Sequence, residues 1–343
     1  VVVERHASLA TGASAVNDIP APRRILLVSL DNVGDLVFAS ALTPPLREAF
    51  PDAVIDLWCK KYTADIGALV PHVRDVIAAD PFWAVPAHMA RPPMAPFLRS
   101  IAEVRRRRYD VAVLSEAPWR AAAAVAMAGI PARIGHARHR NRPFLTHVLP
   151  AADEHKSVLA EQARLLTALG IQSAEHRYRL DTAKLEPARE EMARVLPPRF
   201  AALHPFAGAR DRCVPLGEWT QVAFALAARG LPVLWFGLPA ELSELRASVT
   251  HPPGFYGDTI AKGSFTLGAA ALSLASVFAG HDSGPLHVAG AFGLPVVGIF
   301  APGQPTRTFP QGTGPARMIH HASPTAIHAD AILREMDALI SAT

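Results

Sequence analysis

The sequence predicts an α/β fold in two similar halves, each a parallel sheet flanked by helices. Three observations carry that prediction. Short apolar runs alternate with helix-period stretches along the 343-residue chain, which is the signature of βαβ units. The first run, Ile25-Leu26-Leu27-Val28, is apolar throughout, as a strand buried on both faces requires. The length exceeds the usual size of one compact core, and the alternation pauses near the middle before resuming.

Residues 24–30 open the first half as a strand, and Asp31-Asn32-Val33-Gly34-Asp35 reads as the turn after it. Leu36, Ala39, Leu42 and Leu46 then recur at helical spacing, which puts Asp35 in the first turn of a helix above the strand's carboxyl end. Further strands are expected at 54–58, 73–77, 110–114 and 133–135, with helical stretches between them, including 157–169. Five prolines make residues 81–96 an extended loop. After a polar linker at 170–187, strands resume at 200–203, 232–236, 276–280 and 296–300, and the last helix is 326–340. The chain thus divides into a disordered extension (1–22), a first domain (23–175), a second domain (176–325) and a C-terminal helical segment (326–343). The extension has neither the basic start nor the apolar core of a signal peptide.

No apolar run approaches the roughly 20 residues of a membrane span. Cys59 and Cys213 are too few and too far apart for a disulfide framework or a cysteine metal site, which fits a reducing cytoplasm. The formal charge of +4 is clustered. Arg105-Arg106-Arg107-Arg108 closes a helical run, where cations suit the helix C-terminus and a solvated surface explains them. Arg133, His136, Arg138, His139, Arg140 and Arg142 form a second cluster, able to attract an acidic ligand. Nucleic acid is not the expected partner, because no interleaved aromatics or binding motif accompany the charge.

The most informative stretch is Asp282-Ser283-Gly284-Pro285-Leu286-His287, at a junction between strand and helix. Free backbone N–H groups and the positive helix end favour an anion in front of Ser283 and Gly284, while the plainer alternative is an ordinary turn capped by Asp282 or Ser283. Asp35 is likewise either a functional carboxylate or a helix cap, and Gly34 permits a tight turn or a close approach. Two more segments follow second-half strands, His204-Pro205-Phe206-Ala207-Gly208 and Gly237-Leu238-Pro239-Ala240-Glu241, and Gly263-Ser264-Phe265-Thr266-Leu267 lies further along the same half.

Taken in order and spacing, Gly34-Asp35-Leu36, His204 to Gly208, Gly237 to Glu241 and Asp282 to His287 resemble glycosyltransferase family 9, the heptosyltransferases that add ADP-activated heptose during lipopolysaccharide core assembly. The resemblance implies the GT-B architecture, with two Rossmann-like domains facing each other across a cleft and the last helix returning to the first domain. It also implies an ADP-linked nucleotide-sugar donor as substrate, with no cofactor and no metal.

On this resemblance Asp35 is the catalytic base. Gly34, His204, Ala207, Gly208, Arg212, Gly237, Glu241, Phe265, Asp282, Ser283, Gly284, Pro285 and His287 form the donor site. Glu241 would hold the ribose hydroxyls, Phe265 would lie against the base, and Arg212 would neutralise the diphosphate. Arg133, His136, Arg138 and Arg140 would meet a glycan or glycolipid acceptor, and the enzyme would work in the cytoplasm, at the inner face of the membrane. An unperturbed aspartate, with a pKa of about 3.9, would be ionised but only weakly basic. The chain departs from the family's habits at Ala41 (often proline), Phe206 (usually glycine), Arg212 (commonly lysine) and His281 (frequently asparagine). A nucleotide-sugar binder without activity stays open. A nicotinamide oxidoreductase is disfavoured by the lack of G-x-G-x-x-G after the first strand.

Overall fold

The computed structural model describes residues 19–83, 92–172, 177–248, 254–262 and 264–341. Most of the expected N-terminal extension, the middle of the proline-rich loop and the junction at 175/176 lie outside the described residues. In the first half six parallel strands, β1 (Arg24–Ser29), β2 (Val54–Cys59), β3 (Val73–Ala78), β4 (Val111–Leu114), β5 (Ala132–His136) and β6 (His147–Leu149), form a sheet of order β3-β2-β1-β4-β5-β6. The second half repeats the plan with β7 (Ala201–His204), β8 (Val233–Trp235), β9 (Phe255–Tyr256), β10 (Val277–His281), β11 (Val296–Phe300) and β12 (Ala316–His320), in the order β12-β11-β10-β7-β8-β9.

Both sheets therefore reverse their winding at one place, between β1 and β4 and between β7 and β10. Open sheets of this kind leave a crevice beyond the carboxyl ends at that reversal. Burial on both faces explains the apolar runs: Leu26 and Val28 enter one core and Ile25 and Leu27 another, and in the second half Ala201 and Leu203 part from Ala202 in the same way. The β6, β9 and β12 strands, absent from the sequence reading, are edge strands with partly exposed residues.

The segment between the sheets fastens one half to the other. The Tyr178 N–H donates to Gln311 O and that of Leu180 to Ala291 O in the second domain, while Asp181 N–H reaches Leu69 O in the first. Tyr178, Leu180 and Leu185 share one apolar core with Leu36 and Phe38 of the first domain and Leu286 and Ala289 of the second. The last helix, Ala329–Ile340, does not return to the first domain. Its Ile332, Met336 and Leu339 pack with Trp219 and Val222 of the helix Leu216–Ala228, and Arg229 pairs with Asp337 at 2.7 Å, so its apolar stripe is satisfied within the second domain.

The arginine run also departs from the sequence reading. The helix Met94–Arg107 does expose Arg105 and Arg106, but Arg107 is turned inward, 3.2 Å from Asp56 and 2.6 Å from Asp75. Asp56 lies on β2 with a fully buried side chain, and it also receives Arg74 at 2.7 Å and the Tyr109 hydroxyl at 2.6 Å. A buried carboxylate is tolerable only when its oxygens are matched by such donors. Asp56→Ala strands these donors, and denaturant unfolding should show a loss of about 3–5 kcal/mol; a loss no larger than that of a surface change would show that the network does not hold β2 to the 94–107 helix.

Candidate active site

The switch point of the first sheet supplies three carboxylates. Asp31 and Asp35 follow β1, and Glu116 follows the adjacent β4, which is tied to β1 by Ser115 N–H donating to Val28 O at 3.1 Å. Asp35 sits in the first turn of the helix Val33–Ser40, where its Oδ2 accepts the Asn32 N–H at 3.3 Å. It does cap this helix, and its second oxygen remains for chemistry. Burial, followed by the charges of Asp31 and Glu116, pushes its pKa up to about 7, against the opposing Asn32 hydrogen bond and Lys60. Asp35 is thus a far stronger base than the ordinary carboxylate of the sequence reading. The side chain of Asn32 is held in turn by the Tyr62 hydroxyl at 2.8 Å.

The second switch point lies opposite. Asp282, just past β10, receives His287 Nε2 at 3.2 Å, the Thr308 hydroxyl at 3.0 Å and Arg212 Nη2 at 3.4 Å. Burial alone would raise the Asp282 pKa, but His287, Thr308 and Arg212 outweigh it and hold the carboxyl below the usual range. Ser283 precedes the helix Gly284–Ala291 and donates its hydroxyl to His281 O at 3.0 Å, with Pro285 in the first turn. The helix end therefore keeps backbone donors to offer an anion, beside Arg212.

The two helix starts touch. A Cβ on Gly284 would lie 3.1 Å from Val33 Cβ, and one on Gly34 would lie 3.3 Å from the His287 ring. His287 is 3% exposed, its ring lies tilted 4.6 Å from that of Phe38 of the first domain, and it faces the Tyr178 hydroxyl at 3.4 Å. It is a structural bridge between Asp282 and the Asp35 helix as much as a candidate ligand.

The other donor-site candidates divide by geometry. His204 is buried, with Nδ1 donating to Phe236 O at 3.0 Å, and burial pushes it down to about 4, so it stands neutral as a bracket between β7 and β8. Ala207 and Gly208 form an open loop ahead of Arg212, and a side chain at Gly208 would meet nothing within 4 Å. A Cβ on Gly237 would come within 3.0 Å of Phe206, so the bulk of Phe206 is accommodated by the missing side chain of Gly237. Glu241 starts the helix Pro239–Ser248 and accepts the Leu238 N–H at 2.7 Å; burial raises its pKa. Phe265 is 40% exposed at the head of the helix Phe265–Ser273 and lines a cavity of about 200 Å³ with Asp65, Leu69 and Lys184 of the opposite wall, which makes it an available aromatic face and no core residue.

Of the acceptor candidates, Arg133 has its guanidinium tied to the carbonyls of Phe144 (2.7 Å) and Ile130 (2.6 Å), and His136 holds Pro150 O and Glu161 O at 2.8 Å each. Both therefore pin backbone. Arg138 is half-exposed and pairs with Glu116, bringing it to the Asp35 crevice, and Arg140 takes a positive φ of 62° on an exposed turn. The sequence reading missed Glu116 and Thr308, which lie outside the motifs it used, and it treated His281 only as a departure. His281 Nε2 accepts the Val214 N–H at 2.9 Å, fixing the segment that carries Arg212; burial holds the ring neutral, with a pKa near 3.

Among the described residues, no group of three or more His, Cys, Asp or Glu side chains is placed to hold a metal ion, and no helix is long and apolar enough to cross a membrane. In sequence, the chain is 25% identical over 283 residues to lipopolysaccharide heptosyltransferase 3 of Escherichia coli, covering 78% of this chain and 80% of that one. In fold it matches the glycosyl transferase family 9 protein of Veillonella parvula with a TM-score of 0.80 at 17% identity, covering 94% of this chain and 98% of that one. It also matches the Escherichia coli ADP-heptose lipopolysaccharide heptosyltransferase II with a TM-score of 0.76 at 20% identity, over 93% and 99% of the two chains. These likenesses give the two facing parallel-sheet domains the GT-B fold. The family model of glycosyltransferase family 9 (heptosyltransferase) matches residues 97–325, more than half of the chain, and with the motifs and geometry above it shows that this chain belongs to that family of glycosyltransferases.

Proposed function

We infer that the protein is an inverting, metal-independent heptosyltransferase that moves heptose from an ADP-linked donor to a lipopolysaccharide core or related glycan acceptor. The observation that carries this reading is the opposition of two switch points: a basic carboxylate, Asp35, on one side, and Arg212 with an open helix end on the other. The heptosyl and lipopolysaccharide parts rest on the named relatives. A cytoplasmic setting at the inner membrane face follows from a nucleotide-sugar donor and agrees with Cys59 and Cys213 being free thiols.

In the reaction the acceptor hydroxyl attacks the anomeric carbon as the bond from that carbon to the diphosphate oxygen breaks on the opposite face. Asp35 takes the hydroxyl proton, and its raised basicity brings proton transfer closer to thermoneutral near pH 7. The departing ADP gains negative charge, which Arg212 and the N–H groups at Ser283 and Gly284 meet in a preorganised arrangement. Asp282 occupies Arg212 until the donor arrives, and it is then free to bind sugar hydroxyls. Glu241 would receive the ribose with the oxygen not used by Leu238, and Phe265 would face the adenine.

Asp35→Asn keeps size and removes the proton acceptor, so turnover should fall by on the order of 10²–10⁴ while ADP affinity is preserved; near-normal turnover in the purified variant would remove Asp35 from the role. The free-enzyme constant kcat/KM of the native protein should rise with pH to a plateau beyond an acid limb centred near 7. The same shift has a stability consequence. A carboxyl with a raised folded pKa binds its proton more tightly when folded, so its cost is absent below the unfolded value of about 3.9 and grows as the pH climbs towards 7. Asp35→Asn should therefore raise Tm more at pH 8 than at pH 4.

For the leaving group, Arg212→Ala should weaken ADP binding and slow transfer, with Arg212→Lys recovering part of each. Equal ADP affinity in all three proteins, measured by calorimetry, would place Arg212 outside the donor site. Transfer should proceed at an unchanged rate in EDTA; loss of activity with rescue by magnesium or manganese would overturn metal independence.

A further inference from the structure

Tyr178, in the segment that joins the two sheets, is fully buried and yet carries a hydroxyl. A buried hydroxyl is costly unless its proton finds an acceptor. Tyr178 and Gln311 exchange two hydrogen bonds: the Tyr178 N–H donates to Gln311 O at 3.3 Å, and the Gln311 N–H donates to the Tyr178 hydroxyl oxygen at 3.2 Å. The hydroxyl proton is left for the other partner it meets among the described residues, His287 Nδ1 at 3.4 Å. Gly290, one turn after His287 in the helix Gly284–Ala291, makes room for this contact, since a Cβ there would lie 3.2 Å from the hydroxyl oxygen.

The direction of these bonds decides how the histidine ring is used. Its Nε2 stands 3.2 Å from Asp282 Oδ1, and an ionised carboxylate can only accept, so Nε2 carries the proton. In the neutral ring Nδ1 is then an acceptor, which is what the Tyr178 hydroxyl requires. The protons of the row therefore all point one way, from the Gln311 N–H to Tyr178, from the Tyr178 hydroxyl to His287, and from His287 Nε2 to Asp282. Asp282 keeps Oδ2 for the Thr308 hydroxyl at 3.0 Å and for Arg212 Nη2 at 3.4 Å. With Oδ1 taken by His287, Arg212 does not close on the carboxylate with both prongs of its fork, and its other N–H groups stay open to an anion.

We propose that Tyr178 is a positioning residue of the donor site, whose hydroxyl fixes the His287 ring and, through it, the side of the Asp282 carboxylate that Arg212 can reach. The proposal rests on the donor-site reading above, and it adds a residue of the segment between the domains that lies outside the sequence motifs. Tyr178→Phe keeps the ring and its edge contact with Phe38, 5.6 Å between centroids, but leaves Nδ1 without a donor. His287 is then free to turn, and Asp282 can offer both oxygens to Arg212. A guanidinium held bidentately by its own aspartate is drawn away from a diphosphate that needs the same charge.

The test uses the full chain and ADP. By calorimetry, Tyr178→Phe should raise the ADP dissociation constant about 3–10-fold, the range of one lost neutral hydrogen bond. His287→Gln keeps a donor within reach of Asp282 but has no Nδ1, so adding Tyr178→Phe to it should weaken ADP binding no further, a coupling that loss of packing alone would not produce. An unchanged dissociation constant in Tyr178→Phe, or the same fold-loss with and without His287→Gln, overturns the proposal. A second measurement needs no ligand. In protein carrying 15N-labelled histidine, the His287 signals, assigned by their disappearance in His287→Gln, should show a protonated Nε2 and a bare Nδ1 that accepts a hydrogen bond. In Tyr178→Phe the Nδ1 resonance should move towards that of an imidazole nitrogen without a donor. A proton on Nδ1 in the native protein, or an Nδ1 resonance unmoved in Tyr178→Phe, refutes the relay. If the native protein binds no ADP, the donor-site reading fails, and the nitrogen resonances decide the relay by themselves.

Discussion

The active crevice depends on the close approach of two helix starts, Val33–Ser40 of the first domain and Gly284–Ala291 of the second. Gly34 and Gly284 allow it, because side-chain atoms at either position would press on His287 or Val33. Close contact at this point brings the helix start that follows β1 against the helix start that follows β10. The contact is reinforced beneath by a single apolar core that includes Leu36 and Phe38 on one side, Leu286 on the other and Tyr178 between them. Such a core is close-packed, so a shift of one helix is transmitted to the other.

The same burial gives two carboxylates opposite characters. Asp35 has one backbone donor and like charges for neighbours, so desolvation raises its pKa. Asp282 is also largely enclosed, but an imidazole, a hydroxyl and a guanidinium converge on it and lower its pKa. Environments that push two acids apart suit them to different work, and on the proposed reading Asp35 is the proton acceptor and Asp282 a negative anchor. Asp282 holds Arg212 at 3.4 Å, one residue before the Ser283 and Gly284 helix start, so the cation stands beside the free N–H groups before any anion is met.

The strands at the sheet centres were legible because parallel strands buried on both faces leave no polar alternation, as β1, β2, β10 and β11 show. The edges β6, β9 and β12 were not, since two to five partly exposed residues carry little pattern. Asp35 and the Asp282 to His287 block could be placed from motif and spacing alone. The arginines could not. Arg107, Arg133 and Arg138 look alike in the sequence, yet one neutralises buried Asp56, one braces carbonyl groups and one faces the crevice, and only their tertiary partners separate them. For the same reason the last helix was misassigned: its apolar stripe is plain, but which core receives it is decided by Trp219 and Val222, far away in sequence.

The departures at Phe206 and His281 belong together structurally. Phe206 fills the space left open by Gly237, and its ring lies 5.8 Å from that of His204, which closes the floor beneath the Ala207–Gly208 loop. His281 stands at the end of β10 and catches Val214 from the far end of the same loop. An asparagine there could accept the same N–H, but it would leave unfilled the space in which the His281 ring meets Trp219 at 5.5 Å. A loop anchored at both ends by buried, neutral rings would lose little entropy on meeting a phosphate, and a neutral His281 keeps Nε2 as the acceptor for the Val214 N–H. The loop can therefore present arginine in place of lysine without surrendering control of where the charge sits.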